Sequence, residues 1–581
     1  MAGFTAIINN RENAILPKLQ LRREGGYGFE SDYIFRKIEH QEFAIQQFTN
    51  SKFVNDKILT ENSDYIIGTE GVITNLEKLK KKHQTGNVFS TIIILFEKYG
   101  KNLVNHLRGD FSLFIYSKNT KTWYVFSNPV NSKNIYYYCD EDYFMFSSEL
   151  RNISHILHQL GKTTNLDKNG AYLLLTYGFM LENVTLIESV KRLIPGKALI
   201  FSDEKIRIEE YFHLKNVPQT KDDKVTIIEK MDYLFSEAVR LEFEKDMEYG
   251  YKHIATLSGG LDSRMTVLVA NKLGYTEQLN FCFSQSDYLD EKIAKKIASD
   301  YGHEFMFQSL DNGNYLKEID KVVFYNDGLV LYSGSAHAMK NAENMNFAPY
   351  GMTHTGMIGD AVIGSFLSKP HVVPPQFNSG VYSAKKLDKI APLVSEIVKN
   401  YPSEELYKFY TRGFLGAMNG YNYFEIFSQA SSPFLELDFL SYCFSIPENI
   451  KFKQQIYLEW MERKHKEFAR FPWEKTGVSP LKSLNYKRFF DVGYYQRMSL
   501  KFFDKLSGNV KSGMNPYDLW MKNNPRLKQA IDNYFDGHIH LTESNIELKN
   551  DCIDLFTYGN TGEKTQVLTL LSAIKLHNLH V

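Results

Sequence analysis

The chain has 581 residues, 68 Lys and Arg against 68 Asp and Glu, a formal net charge of zero, and a hydrophobic fraction of 43%. A chain of that size outgrows one hydrophobic core, so two or more domains are expected. The composition excludes a disordered acidic or basic polymer and removes the electrostatic ground for nonspecific nucleic-acid binding.

Cys139, Cys282, Cys443 and Cys552 lie far apart, without a CxxC pair or a disulfide framework, which points to a reducing compartment. Met1 to Asn10 has no basic segment leading into a long apolar run. Apolar stretches such as Ile92 to Phe96 fall far short of the ~18 residues needed to span a bilayer. The expectation is a cytoplasmic protein with neither a membrane nor a nucleic acid as partner.

Residues 1–215 read as short aromatic-rich strands, Phe111 to Ser117, Trp123 to Phe126 and Tyr143 to Phe146 among them, interrupted by amphipathic helices such as Val88 to Lys98. This is the pattern of an α+β domain built on antiparallel sheet. The polar stretch Asn216 to Asp223, with Pro218, reads as a linker. From residue 224 the pattern changes. A helix (Val225 to Glu244) leads to a strand (His253 to Leu257), a glycine turn, and a helix with Met265, Leu268, Val269 and Leu273 on one face that stops at Gly274. The strand Leu279 to Phe283, the helix Asp290 to Tyr301 closed by Gly302, and strands at His303 to Gln308 and Met352 to Thr355 follow. Such alternation implies a doubly wound parallel sheet with a ligand site at the carboxyl ends of its strands. Beyond about residue 375 the chain reads as mostly helical. The second domain is therefore expected over residues 224–581.

The strongest motif is Ser258-Gly259-Gly260-Leu261-Asp262-Ser263, between a strand and a helix. Glycines let the backbone approach a phosphate, hydroxyls and amides donate to it, and the helix N-terminus adds partial positive charge. An aspartate inside such a loop makes sense when Mg²⁺ stands between it and phosphate oxygens. Tyr325 and Tyr332 are expected in the core, His303 in a structural role, His538-Ile539-His540 in a loop, and the lysines at 78 and 80–82 on a solvated helix face.

The motif in this setting resembles the pyrophosphate-binding loop of the asparagine synthetase family and its relatives among ATP pyrophosphatases. The resemblance runs along nearly the whole chain. Gly71 to Asn75, Leu107 to Phe111, Phe146 to Glu149 and Ile194-Pro195-Gly196 resemble successive landmarks of the family's N-terminal half. Thr355 to Asp360 and Ser432 to Glu436 resemble the SGxGxDE and VPFLD segments of its second half. The resemblance implies an Ntn-type glutaminase-like sandwich followed by an ATP-pyrophosphatase domain with a helical C-terminal part. It also implies a reaction in which ATP activates a carboxylate, pyrophosphate leaves, and an amine attacks the acyl-adenylate. On that resemblance Ser258, Gly259, Gly260 and Ser263 hold the pyrophosphate end of ATP, and Asp262 and Asp360 share Mg²⁺. Backbone near Leu257, Phe283 and Gly356 faces the nucleotide. Lys475 corresponds to the family's catalytic lysine, and Asp327 or its neighbour Asn326 takes the place of the base that deprotonates the amine.

The departures are as informative as the matches. Glutamine-hydrolysing members carry a cysteine after the initiator methionine, where this chain has Ala2, which offers no nucleophile. Thr5 is expected inside a strand and cannot substitute. Glu70 stands where an amide donor is expected, and the RDxxGxxPLYY segment has decayed to Ser127 to Asn131. A glutaminase-like fold without glutaminase activity is therefore expected. In the second half Gln429 to Glu436 loses a Glu and an Arg, while Met357 and Ala361 replace acidic residues. Retained ATP machinery without aspartate-recognising charges resembles β-lactam synthetases and lasso peptide cyclases, and implies a small-molecule or peptide carboxylate and an amine as substrates. An asparagine synthetase using ammonia or glutamine with position 2 altered, and a noncatalytic ATP-binding scaffold, are the alternatives. A homodimer is left open.

Overall fold

The structure, a computed structural model, describes residues 3–11, 16–17, 33–483, 492–507 and 513–581. Among the described residues the first 210 contain two antiparallel six-stranded sheets. Their strands are β1 (Gly3–Asn9), β2 (Tyr33–Glu39), β3 (Phe43–Asn50), β4 (Leu59–Glu61), β5 (Tyr65–Ile73), β6 (Gly109–Ser117), β7 (Thr122–Ser127), β8 (Tyr136–Cys139), β9 (Tyr143–Ser147), β10 (Lys191–Arg192), β11 (Lys197–Ser202) and β12 (Lys205–Glu210). The orders are β10-β8-β9-β1-β3-β2 and β12-β11-β7-β6-β5-β4.

The period-2 alternation of a strand shows how the layers stack. Along β6, Phe114 and Tyr116 enter the core between the two sheets, beside Phe4, Ile45, Trp123 and Phe146. Phe111, Leu113 and Ile115 face the other way, onto α1 (Leu76–His83) and α2 (Val88–Tyr99). Both faces are covered, so these strands read as near-continuous apolar runs. The outer face of the first sheet, through Ile7, Tyr136 and Met145, packs on α3 (Leu150–Gln159) and α4 (Lys168–Tyr177).

The second part opens with α5 (Lys224–Glu248), followed by β13 (Lys252–Thr256), α6 (Asp262–Lys272), β14 (Gln278–Ser284), α7 (Leu289–Tyr301), β15 (Glu304–Ser309), α8 (Ile319–Asn326), β16 (Tyr350–His354) and β17 (Ala430–Ser431). The five strands are all parallel, in the order β15-β14-β13-β16-β17. The strand expected at Met352 to Thr355 begins two residues earlier, and β17 is too short to leave a periodic signal. The chain starts in the middle of the sheet, winds to one edge, then crosses to the other. The loops that follow β13 and β16 therefore diverge at a topological switch point, where α/β sheets form their ligand crevice.

The two parts are joined tightly. Ion pairs cross between them at Asp56–Lys245 (3.0 Å), Arg151–Asp327 (3.1 Å), Lys133–Glu425 (2.8 Å) and Arg108–Glu436 (2.8 Å). Segment 216–223 is no free linker. Asn216 is buried and donates to Ser403 Oγ, and the Thr220 amide donates to the Ser445 carbonyl.

Candidate active site

The loop at 258–263 is shaped by its own side chains. Leu257 is buried at the end of β13, with its amide bonded to the Phe281 carbonyl. The Ser258 amide donates to Ser263 Oγ (3.0 Å), and the Gly260 amide to Ser258 Oγ (3.2 Å). The Gly259 amide donates to Asp290 Oδ1 at the start of α7 (2.8 Å). The two glycines serve different purposes. A Cβ on Gly259 would meet Glu474 Cβ at 2.9 Å and Asp290 Oδ1 at 3.0 Å, so this glycine allows packing. A Cβ on Gly260 would meet only Ser258 Oγ, at 3.2 Å, so this side of the loop is open at the head of α6. An open face beside the Ser258 and Ser263 hydroxyls at a helix N-terminus suits an anion.

Gly356 brings the second loop against the first. A Cβ there would lie 2.2 Å from the Ser263 amide nitrogen and 2.3 Å from the Asp262 carbonyl carbon, so only glycine permits this approach. The contact sets Asp360 beside Asp262. Burial and then the Asp360 charge push the Asp262 carboxyl well above the usual carboxylate range, while the Lys475 ammonium draws it down. Asp262 Oδ1 is buried without a hydrogen-bond partner. Two adjacent carboxylates, one oxygen of them orphaned, form a donor set that fits a hard divalent cation such as Mg²⁺. The buried Tyr457 hydroxyl lies near both, driven up by burial and then by Asp262.

Lys475 follows Trp473 and Glu474 on a turn closed by the Trp473 amide on the Val478 carbonyl (2.8 Å). Its side chain is exposed, with Nζ 5.2 Å from the Trp473 ring centroid. It borders a cavity of about 470 Å³ that Lys453, Gln454, Ser365 and Gly364 also line. Lys453 and Gln454 both have left-handed backbone (φ 56° and 61°), a strained pair at a cavity wall. Phe283 lies on β14, with its ring centroid 5.2 Å from that of His337, which burial pushes down to about 4.

Asp327 is placed elsewhere. It ends α8 with left-handed backbone (φ 53°), is buried, and turns its carboxylate to the Leu150 amide (2.9 Å) and Arg151 Nη1 (3.1 Å). Both oxygens are engaged at the junction of the two parts, which is a fastening role and not the geometry of a base facing an amine. Neighbouring Asn326 is also buried, with its side chain bonded to the Val330 carbonyl and the Gly328 amide. Tyr332 donates to the Leu316 carbonyl inside the core, and His303 bridges Asn280 and Asn271, as expected of structural residues.

Several residues that sequence reasoning did not single out build the site. Arg264 is fully buried and donates to the carbonyls of Gly259, Phe468, Phe471 and Pro472. Its only sequence signal is an arginine on a helix without an acidic residue three or four positions away. Glu474 holds Tyr288 and Arg497, the latter at 2.8 Å. Behind both loops, His354 lies between Glu242 (3.1 Å) and Asp246 (2.7 Å), and His253 reaches the same Asp246 oxygen (3.0 Å). Burial opposes protonation, but the two carboxylates hold His354 up to about 9. This cluster ties α5 to β13 and β16, the strands that carry the loops.

In the first part, Ala2 lies outside the described residues. Thr5 is buried in β1 and bonded to Ser147 and Asn152. Glu70 is buried and accepts from Thr49 Oγ1 (2.8 Å) and Gln47 Nε2 (3.2 Å), with Lys57 Nζ at 3.9 Å. Two residues beyond the decayed segment, the buried Lys133 is paired across the junction with Glu425. No helix among the described residues is long and apolar enough to cross a membrane.

Residues 32–212 match the glutamine amidotransferase domain family. A putative glutamine-hydrolyzing asparagine synthetase 2 of Methanocaldococcus jannaschii is 28% identical over 320 residues, covering 53% of this chain and 60% of the relative. A glutamine-hydrolyzing asparagine synthetase 1 of Bacillus subtilis is 27% identical over 312 residues, 52% of this chain and 48% of the relative. The chain thus spans between about half and three fifths of the curated relatives it matches. A solved glutamine phosphoribosylpyrophosphate amidotransferase from B. subtilis, with ADP and GMP, aligns over 65% of this chain and 81% of its own at 12% identity and a TM-score of 0.22. The domain match and the two synthetase relatives agree with the motifs quoted above: residues 32–212 carry a glutamine amidotransferase domain, and the chain is similar to glutamine-hydrolyzing asparagine synthetases.

Proposed function

We propose that the chain is an ATP-dependent, AMP-forming ligase that adenylates a substrate carboxylate and joins it to an amine without hydrolysing glutamine. The observation that carries this reading is the apposition of Asp262 and Asp360, forced by Gly356, at the open face of the 258–263 loop. A carboxylate oxygen attacks the α-phosphorus of ATP and pyrophosphate departs. The amine then attacks the acyl carbon, AMP departs, and the amine proton passes to solvent or to a base. Ser258, Ser263 and the Gly260 amide receive the phosphates. Asp262 and Asp360 would hold Mg²⁺, which neutralises charge on the departing pyrophosphate. Lys475 places an ammonium near the same oxygens. The buried charges of Glu70, Lys57, Lys133 and Glu425 support the view that the amidotransferase part no longer handles glutamine.

ATP–pyrophosphate exchange across a panel of carboxylates, aspartate included, tests the reading. Exchange that depends on one carboxylate and disappears in Asp262→Ala and Asp360→Ala is expected. Exchange that survives both substitutions refutes it. The names of the relatives favour a second reading, asparagine formation from ammonia or glutamine, which predicts aspartate as the active carboxylate and asparagine as the product. Binding of ATP without exchange on any carboxylate would identify a scaffold instead.

A further inference from the structure

Arg264 is a cation with full burial and an unusual set of partners. Its Nη1 donates to the carbonyls of Phe468 (3.3 Å) and Phe471 (3.2 Å), and its Nη2 to those of Pro472 (2.7 Å) and Gly259 (3.1 Å). Among the described residues no carboxylate forms an ion pair with it. A buried guanidinium is costly without a counter-anion.

Its partners fall into two groups. Gly259 belongs to the loop, while residues 468–472 lead into the turn that carries Glu474 and Lys475. The Gly259 carbonyl also accepts from the Glu474 amide (3.1 Å), so the two segments meet at that one oxygen. The carbonyl and N–H of a trans peptide point in opposite directions. Holding the Gly259 oxygen inward therefore turns the Gly260 N–H outward, toward Ser258 Oγ and the open face.

We infer that Arg264 is a positioning residue for adenylation, which fastens the Lys475 turn to the 258–263 loop and aims the Gly260 amide at the departing pyrophosphate. The inference rests on the function proposed above. It assigns no contact between Arg264 and substrate; Arg264 acts through the Gly259–Gly260 peptide and through the backbone of 468–472.

The test uses the whole chain, inorganic pyrophosphate with Mg²⁺ as probe, and the variants Arg264→Met and Arg264→Lys. Lys475 acylation by a soluble acetylating reagent is followed by peptide mass mapping, with and without the probe, beside ATP–pyrophosphate exchange. In the unsubstituted protein, pyrophosphate should slow Lys475 labelling about tenfold or more. In Arg264→Met that protection should vanish, and exchange kcat should fall about 100-fold with KM for ATP changed less than about threefold, as expected of misplaced groups. Arg264→Lys, which keeps the charge but loses the fork, should lie between, and it supplies the comparison if the methionine variant does not fold. Destabilisation alone would leave the ratio of labelling rates with and without probe unchanged. Full protection and full kcat in the folded variants overturn the inference and spare the ligase reading. Absence of both protection and exchange in the unsubstituted protein overturns the ligase reading, and the inference with it.

Discussion

Replacing Asp327 separates two roles with opposite signatures. In the structure its carboxylate satisfies the buried Leu150 amide at 2.9 Å and the buried Arg151 guanidinium at 3.1 Å. Arg151 keeps other partners after Asp327→Ala, namely Glu149, the Phe324 carbonyl at 2.6 Å and the Phe324 ring at 4.2 Å. Removing one member of a buried ion pair costs about 3–5 kcal/mol, and Glu149 keeps this case near the lower figure. Leaving the Leu150 amide without an acceptor adds about 1 kcal/mol or more. We therefore expect Asp327→Ala to lose about 4 kcal/mol of stability, and Asp327→Asn, which retains an acceptor, roughly half as much. The assay is chemical denaturation followed by tryptophan fluorescence, paired with single-turnover amide formation by whatever fraction remains folded. A fastening residue should lower the denaturation midpoint while folded protein keeps its rate within about threefold. An unchanged midpoint with a rate reduced about 100-fold or more, the size of a lost general base, would restore the catalytic reading and refute the argument from geometry.

Other substitutions follow from the same contacts. Gly356→Ala must push the two loops apart, because its Cβ would lie 2.2 Å from the Ser263 nitrogen, and exchange should fall by about 100-fold or more. Lys475→Met should lower exchange kcat by about 100- to 1000-fold with little change in thermal midpoint, since the side chain is exposed and, on the proposed mechanism, the charge acts only on the transition state. His354 has a folded pKa of about 9, above its ordinary value of 6.5, so its contribution is complete below pH 6.5 and is lost as pH rises through 9. Stability should begin to fall near pH 6.5, at about 1.4 kcal/mol per pH unit, and have lost about 3 kcal/mol once pH passes 9, and His354→Gln should remove most of that slope. Ala2→Cys should release no glutamate from glutamine, measured by coupled glutamate oxidation, because Glu70 and the Lys133–Glu425 pair remain in place.

The local features were legible because their causes are local. A strand, two glycines and an aspartate before an amphipathic helix announce an anion loop wherever they occur, and the structure builds that loop between β13 and α6. The alternation of strands and helices likewise implied a parallel sheet. In β6 the near-continuous apolar run followed from burial on both faces, which pattern alone does not separate from other buried segments.

What spacing could not supply was direction. Asp327 and Asp360 are both aspartates outside the expected strands, but a left-handed turn at the end of α8 sends the first into the junction, and the Gly356 contact sends the second to Asp262. Arg264 stands next to the motif in sequence, and its partners lie more than two hundred residues away except for Gly259. The amino-acid order by itself determined the likeness to the synthetases, the strand–glycine–helix loop at 258–263 and the alanine at position 2, because each is a property of adjacent residues. The apposition of Asp262 with Asp360 and the contact of the 468–474 segment with Gly259 were decided by tertiary structure, because those distances exist only after separate segments pack together.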